Sequence, residues 1–312
     1  GTRQTLEYFE RFFPGFERLK YKTGDKVMDW AIPQEWNARV AYIEHIESGQ
    51  RFAEFQNLNL HLVGYSEPVD RVMDLEELKP YIYTDPDLQD AVPYVTSYYS
   101  RRWGFCMSPL DKDSLPNGQY HVLIDSTLED GYLEMSQLHI KGSCSSEIFF
   151  SSYVCHPSML NNELSGPLVL GALIEYIQSK YSNPKRSYRF VMLPETIGSI
   201  AYISSFGNDL KKNVVCGFNL SCVGDERAYS YVETPYANTL ADAALSSALI
   251  GKENVIKYSF LERGSDERQY CSPGLRLPLC TFCRSKFEEY PEYHTSHDDF
   301  RVVTEEGLQG SI

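Results

Sequence analysis

The spacing of apolar residues along the chain changes character twice. Leu6, Phe9, Phe12 and Phe13 recur at helical spacing up to Pro14, so residues 2–20 read as an amphipathic helix. From about residue 37 the pattern alternates. "RVAYIEHI" and "LNLHLVGYS" are short runs separated by turn residues, the pattern of antiparallel strands. The stretch "KPYIYTDPDLQDAVPYVTSYYSRRWGF" is loop-rich, and "GQYHVLIDSTLEDGYLEMSQLHIKG" predicts two more strands. This β-rich block runs to about residue 141.

Beyond it, strands that are apolar throughout alternate with helices. "EIFFSSYVC" (147–155), "SYRFVMLP" (187–194), "VVCGFNLSCV" (214–223) and "LPLCTFCRS" (277–285) read as strands. "GPLVLGALIEYIQSKY" (166–181), "IGSIAYISSFG" and "NTLADAALSSALI" (238–250) read as helices, the first with Leu168, Leu170, Leu173, Ile174 and Ile177 turned inward. A strand buried on both faces needs helices on both sides. The predicted fold is therefore α/β, a mixed and mostly parallel sheet sandwiched by helices. Residues 1–36 and 142–312 form that discontinuous domain, and 37–141 form a small antiparallel β insertion.

Composition narrows the partners. The 312 residues hold 29 Lys and Arg against 43 Asp and Glu, a formal charge of -14. Such a surface repels phosphate backbones and anionic lipid, so neither nucleic acid nor membrane is an expected partner. No apolar run approaches the roughly 20 residues that span a bilayer. The opening residues lack the features of a secretory signal. The eight scattered cysteines read as reduced, buried thiols of a cytoplasmic protein, and Cys280 and Cys283 form a C-x-x-C without a second pair.

In open α/β sheets, ligands collect beyond the carboxyl ends of the strands. The first of these strands ends at His156, and Asn161, Asn162 and Glu163 follow. Asn162 or Ser165 is placed to cap the next helix, and Gly166 lets helix and strand come close. Other strands lead to Glu195, to Ser221 and Asp225, and to His294, His297, Asp298 and Asp299, with Asp266, Glu267 and Arg268 in "RGSDERQY". These residue types suit metal-assisted hydrolysis. Zinc takes imidazole nitrogen and carboxylate oxygen and lowers the pKa of bound water towards ~7. A carboxylate that is not a ligand then takes the proton. His156, Glu163 and His294 would hold zinc, and Glu195 would be the base.

Taken together, "CHPSMLNNELSG", "PETIGS", "GSDERQY…PG" and "YHTSHDD" resemble the co-catalytic zinc aminopeptidases, a superfamily that includes glutamate carboxypeptidase and glutaminyl cyclase. The nearer resemblance is to a branch of aminopeptidase-like proteins from polysaccharide or secondary-metabolite clusters. "PYVTSYYSRRWGFCMS" matches the β-rich insertion of that branch. Its members usually continue into a C-terminal winged-helix domain, which is not found before "EEGLQGSI". The resemblance implies that His156 and His294 are metal histidines, that Glu195 is the general base and that Asp266 is a supporting position. Asp298 would orient nearby groups. It puts Asn162 where a bridging aspartate is usual, Thr196 where a ligand glutamate is usual, and Ser221 where a ligand aspartate is usual. Two ions ~3.5–4 Å apart need several anionic oxygens between them. One zinc is therefore expected, completed by Glu163 first and Asp225 second, with Asn162 able to lend an amide oxygen.

The reaction this implies is amide or peptide hydrolysis of a short peptide or an aminoacyl or acylamino metabolite. Asp225, Asp266 or Glu267 would receive a substrate ammonium group; Arg227 or Arg268 would receive a carboxylate. The tyrosines and Trp103 of "YVTSYYSRRWGF" would form a pocket wall or lid. A deacylase or cyclase reaction and a non-catalytic binding module are the alternatives. A homo-oligomer is compatible with all three.

Overall fold

A computed structural model describes residues 1–312 except Tyr98 and Tyr99. Its centre is an eight-stranded mixed sheet. In spatial order the strands are Glu17–Lys22, Tyr132–Ile140, Ser187–Leu193, Glu147–Tyr153, Val214–Leu220, Leu279–Cys283, Tyr229–Val232 and Val255–Tyr258. The four from Ser187–Leu193 to Leu279–Cys283 are parallel to one another. Side chains on the central strands alternate between two cores. Phe149 and Val191 pack with Ala201, Tyr202 and Leu210 of the helix Ile197–Asn213 on one face. Phe190 and Met192 pack on the other with Val169, Leu170 and Ile174 of the helix Ser165–Lys180 and Leu6 and Phe9 of the helix Thr2–Phe12.

Three expectations change. The first helix stops at Phe12, and Glu17–Lys22 is an edge strand paired with Tyr132–Ile140. Pro14 and Gly15 break the helix, and Gly15 takes φ +108°. The strand Tyr132–Ile140, assigned above to the insertion, lies in the main sheet between Glu17–Lys22 and Ser187–Leu193, antiparallel to both. It is buried on both faces, Met135 in one core and Leu138 in the other. Leu168, assigned inward, is 46% exposed. The buried stripe instead runs through Pro167, Val169, Leu170, Ile174 and Ile177.

The insertion's own sheet has four antiparallel strands in the order Gln50–Phe52, Glu35–His45, Gln119–Glu129 and Val69–Asp74. Ile43, Met73, Tyr120, Val122 and Ile124 are central to its core. Cys280 and Cys283, at i and i+3 on one strand, point into different clusters, which follows from the twofold alternation of a strand. Among the described residues all eight cysteines are free, and no helix is long and apolar enough to cross a membrane.

A charge cluster fastens the N-terminal helix to the sheet. Arg18 bonds Glu10 at 2.7 Å and Glu134 at 2.6 Å, and Arg3 reaches Glu134 at 2.9 Å. Burial alone would raise the Glu134 carboxyl, but Arg18, Arg3 and Lys20 together hold it below its ordinary range. A carboxyl lowered on folding contributes stability above its unfolded pKa, about 4.3 for Glu. It loses that contribution as pH falls through the folded value. Thermal melts between pH 6 and pH 3 should therefore fall more steeply for the native chain than for Glu134→Gln; parallel curves would show that the cluster is not linked to stability.

Candidate active site

The strand Glu147–Tyr153 runs into a loop that carries His156. The chain then forms one wide π-helical turn, Leu160–Leu164, which continues directly into the helix Ser165–Lys180. Because the turn is continuous with the helix, there is no separate N-terminus at residue 165 to cap. Ser165 Oγ instead donates to the Asn161 carbonyl at 2.5 Å and accepts the Val223 N–H at 2.9 Å. Asn162 Nδ2 donates to the Tyr153 hydroxyl at 2.6 Å. The cap comes from far along the chain. Asp298 accepts the Asn161 N–H at 2.6 Å and the Asn162 N–H at 2.9 Å. Such single π turns recur at functional sites, and this one buries Asn161, Asn162 and Glu163 side by side.

Glu163 grips the loop it shares with His156. One of its oxygens accepts the Cys155 N–H. The other accepts the His156 N–H at 3.0 Å and lies 3.2 Å from His156 Nδ1. The opposite nitrogen of the ring, Nε2, lies 3.7 Å from Glu195 Oε2. Burial alone would depress His156, yet Cys155 and Glu163 beside it carry its pKa well above the usual imidazole value. Burial raises the Glu163 carboxyl, and His156 opposes that rise.

Glu195 stands at a strained turn. The next residue, Thr196, takes φ 64° and ψ −68°, and the Ile197 N–H reaches back to the Glu195 carbonyl at 2.7 Å. This is a γ-turn of the rare form, and the strain is worst for a β-branched residue. The surrounding structure holds it in place. Asp266 Oδ1 accepts the Thr196 N–H and the Ser199 hydroxyl, each at 2.8 Å. The Ser265 hydroxyl donates to Glu195 Oε1 at 2.7 Å, which leaves Oε2 facing His156. Burial, and then the charge of Glu195, push the Asp266 carboxyl up to about 8. Strain of this kind persists where a site needs one orientation.

His294 arrives from the other side, also with positive φ, 57°. Its ring centroid lies 5.1 Å from that of His156. Tyr293 stacks on it at 3.9 Å. The segment Val92–Thr96 of the insertion crosses both rings. Tyr94 meets each imidazole edge-on at 5.0 Å, and its N–H donates to the His294 carbonyl at 2.7 Å. Pro93 bridges to Thr295, and Ser296 exchanges hydrogen bonds with Val92. The same segment is tied at its other end to Gly64, deep in the insertion. Burial and the charge on His156 push His294 down to about 3, so its ring is neutral at pH 7.

The remaining candidates are placed differently. Asp225 accepts from Asn161 Nδ2 at 3.2 Å, from Ser285 N–H and hydroxyl at 2.8 Å each, and from Arg227 N–H at 2.9 Å, so it knits loops together. Glu267 is buried, and its oxygens accept from the Gly264 and Ser265 N–H groups and the Thr281 hydroxyl. Arg227 is held by Glu292 through two bonds of 2.8 Å. The Ser221 hydroxyl meets the Tyr153 hydroxyl at 2.5 Å. Arg268 bonds the Ser265 carbonyl at 3.0 Å and the Thr196 hydroxyl at 3.3 Å. Trp103 stacks on Tyr81 at 3.9 Å inside the insertion, while Tyr98 and Tyr99 lie outside the described residues. The sequence reading passed over Cys155, whose sulfur is 3.3 Å from His156 Nδ1. Cys155, His156 and Glu163 offer ligand atoms within 4.8 Å of one another. The one signal for it was its place directly before His156.

The donors suit a divalent cation. Among the described residues, seven buried side-chain polar atoms have no hydrogen-bond partner, and three of them, His294 Nε2, Asn162 Oδ1 and Asp266 Oδ2, belong to residues of this cluster. Leaving such atoms unpaired costs about 1–3 kcal/mol each. An unpaired imidazole nitrogen and an unpaired amide oxygen are both donors that a divalent cation accepts.

Similarity to known proteins agrees with this layout. A curated Clostridium acetobutylicum protein, named as a polysaccharide biosynthesis protein with an aminopeptidase-like domain, is 40% identical over 315 residues, covering 100% of this chain and 70% of its own length. A crystal structure from that organism, described as a peptidase, superposes with TM-score 0.95 at 37% identity, over 99% of this chain and 72% of that one. The fold is also that of BSAP, a zinc aminopeptidase from Bacillus subtilis, with TM-score 0.66 at 14% identity over 99% and 86% of the two chains. A peptidase M28 precursor from Shewanella amazonensis gives 0.67 at 11% identity over 99% and 85%. The family described as "Domain of unknown function (DUF4910)" matches residues 1–312, and the chain belongs to it, with an aminopeptidase-like fold.

Proposed function

We propose that this protein is a single-zinc amide hydrolase acting on a short peptide or an aminoacyl or acylamino metabolite. The observation that carries this reading is a pair of imidazoles with ring centroids 5.1 Å apart, one of which, His156, presents Nε2 to Glu195 Oε2 at 3.7 Å. His156 and His294 would hold the ion through Nε2, and Asn162 would lend Oδ1. Glu163 would serve as the orienting carboxylate on His156 Nδ1 rather than as a ligand, since its oxygens already accept backbone N–H groups. Asp225 is spent in its loop and is not needed. Zinc held there supplies a Lewis acid for the amide carbonyl and makes a nearby water acidic near pH 7. Glu195 Oε2 takes the proton of that water and passes it to the departing amine. Ser265 and the strained turn at Thr196 keep Oε2 facing His156. The eight free thiols support a cytoplasmic setting.

The test is a zinc-supplied panel of aminoacyl amides, short peptides and N-acyl amino sugars. Release of amine from none of them, by pure protein carrying zinc, would refute the reading. The segment Val92–Thr96, a strap across both rings, leads to a separate prediction. Tyr94→Ala removes the ring that touches both imidazoles, and should weaken zinc binding about 10–100-fold, the usual cost of losing a supporting group around a metal. Chelator competition measures it, and unchanged affinity would show that the strap is only packing.

A further inference from the structure

We infer that Arg268 is a carboxylate-binding site at the mouth of this centre, so that the substrate carries a free carboxylate group. The inference rests on the proposed hydrolase site and names its substrate class. Of the two arginines near the strand ends, Arg227 is already neutralised by two bonds of 2.8 Å to Glu292. Arg268 is exposed and makes no ion pair among the described residues. Its guanidinium is nonetheless fixed. Nε donates to the Ser265 carbonyl at 3.0 Å, and Nη2 to the Thr196 hydroxyl at 3.3 Å. Both partners flank the general base, since the Ser265 hydroxyl bonds Glu195 Oε1 and Thr196 follows Glu195 in the chain.

A neutral carbonyl and a neutral hydroxyl aim the cation without cancelling its charge. Nη1 and one hydrogen of Nη2 are left to form the fork that receives a carboxylate through two parallel bonds. The acids nearby do not compete for it. Glu267 is closed by its own hydrogen bonds, and Asp266, whose Oδ1 accepts from Thr196 and Ser199, is fully buried and makes no ion pair with Arg268 among the described residues. In a chain of formal charge -14, an uncompensated cation fixed beside the base selects an anion from among solutes the surface otherwise repels.

The experiment compares Ala-Ala with its C-terminal amide, Ala-Ala-NH2. Binding is measured calorimetrically to zinc-loaded Glu195→Gln protein, in which no turnover intervenes. The expected result is that Ala-Ala binds at least 10-fold more tightly than the amide, and that adding Arg268→Gln removes the difference while Arg268→Lys keeps part of it. With a hydrolysed substrate, Arg268→Gln should raise KM for the carboxylate form and leave kcat nearly unchanged. Equal binding of the two probes, or a preference that survives Arg268→Gln, overturns the inference even if hydrolysis is found. An Arg268-dependent preference without hydrolysis sustains the carboxylate site and counts only against the hydrolase.

Discussion

Glu195→Gln should abolish amide hydrolysis while leaving the fold and the zinc content intact. A glutamine accepts hydrogen bonds but cannot take a proton, and general-base catalysis typically contributes about 10²–10⁴-fold. The upper part of that range applies here because no other carboxylate oxygen faces His156 Nε2 within 4.0 Å among the described residues. Asp266, beside Glu195 in the turn it supports, is fully buried and already accepts the backbone N–H of Thr196. The loss should fall on kcat rather than KM, since the replaced group acts on the proton in flight and not on the resting substrate. The substitution keeps the shape of the side chain and its contact with the Ser265 hydroxyl, so melting temperature and zinc stoichiometry should match the native chain. Residual activity above about a tenth would move the proton transfer to another group.

The double variant His156→Ala, His294→Ala should lose zinc binding altogether. In the native chain the expected stoichiometry is one ion, and zinc should raise the melting temperature by mass action, about 2.7 kcal/mol of stabilisation at 100 times the dissociation constant. In the double variant that increment should vanish. Without metal, the His294 substitution should still lower stability, since it removes a buried ring stacked on Tyr293 and met edge-on by Tyr94. Metal analysis, with thermal melts of the native and variant chains in the presence and absence of zinc, reads these effects. Undiminished zinc in the double variant would move the ion to other residues, with Cys155 and Glu163 the first to test.

Much of the fold could be read from the pattern of the chain. Continuous apolar runs such as "EIFFSSY" demand cover on both faces, and in the structure Phe149 and Phe150 enter opposite cores. Short or edge elements were misread or missed, and the internal strand Tyr132–Ile140 was read as a strand but assigned to the insertion. Glu17–Lys22, with its exposed and half-buried residues, continued a helical pattern on paper, and Tyr229–Val232 and Val255–Tyr258 are only four residues each. Their identity as strands comes from partners more than twenty residues away, which local periodicity does not register.

His156, Glu195 and His294 stood out as chemical types at strand ends, and the sequence alone determined which side chains were available for such chemistry. It also determined the neutral residues Asn162, Thr196 and Ser221, and with them the expectation of one ion rather than two. Tertiary structure decided what each group touches. Whether Glu163 faces a cation or the Nδ1 side of His156 depends on a π turn capped by Asp298, 136 residues away. Whether an arginine is free depends on a glutamate supplied, or not, by another loop. That Tyr94 of the insertion braces both imidazoles follows from a bridge between Pro93 and Thr295. Orientation and charge compensation are properties of groups distant in the chain and adjacent in space, so composition and spacing could nominate the residues but not assign their roles.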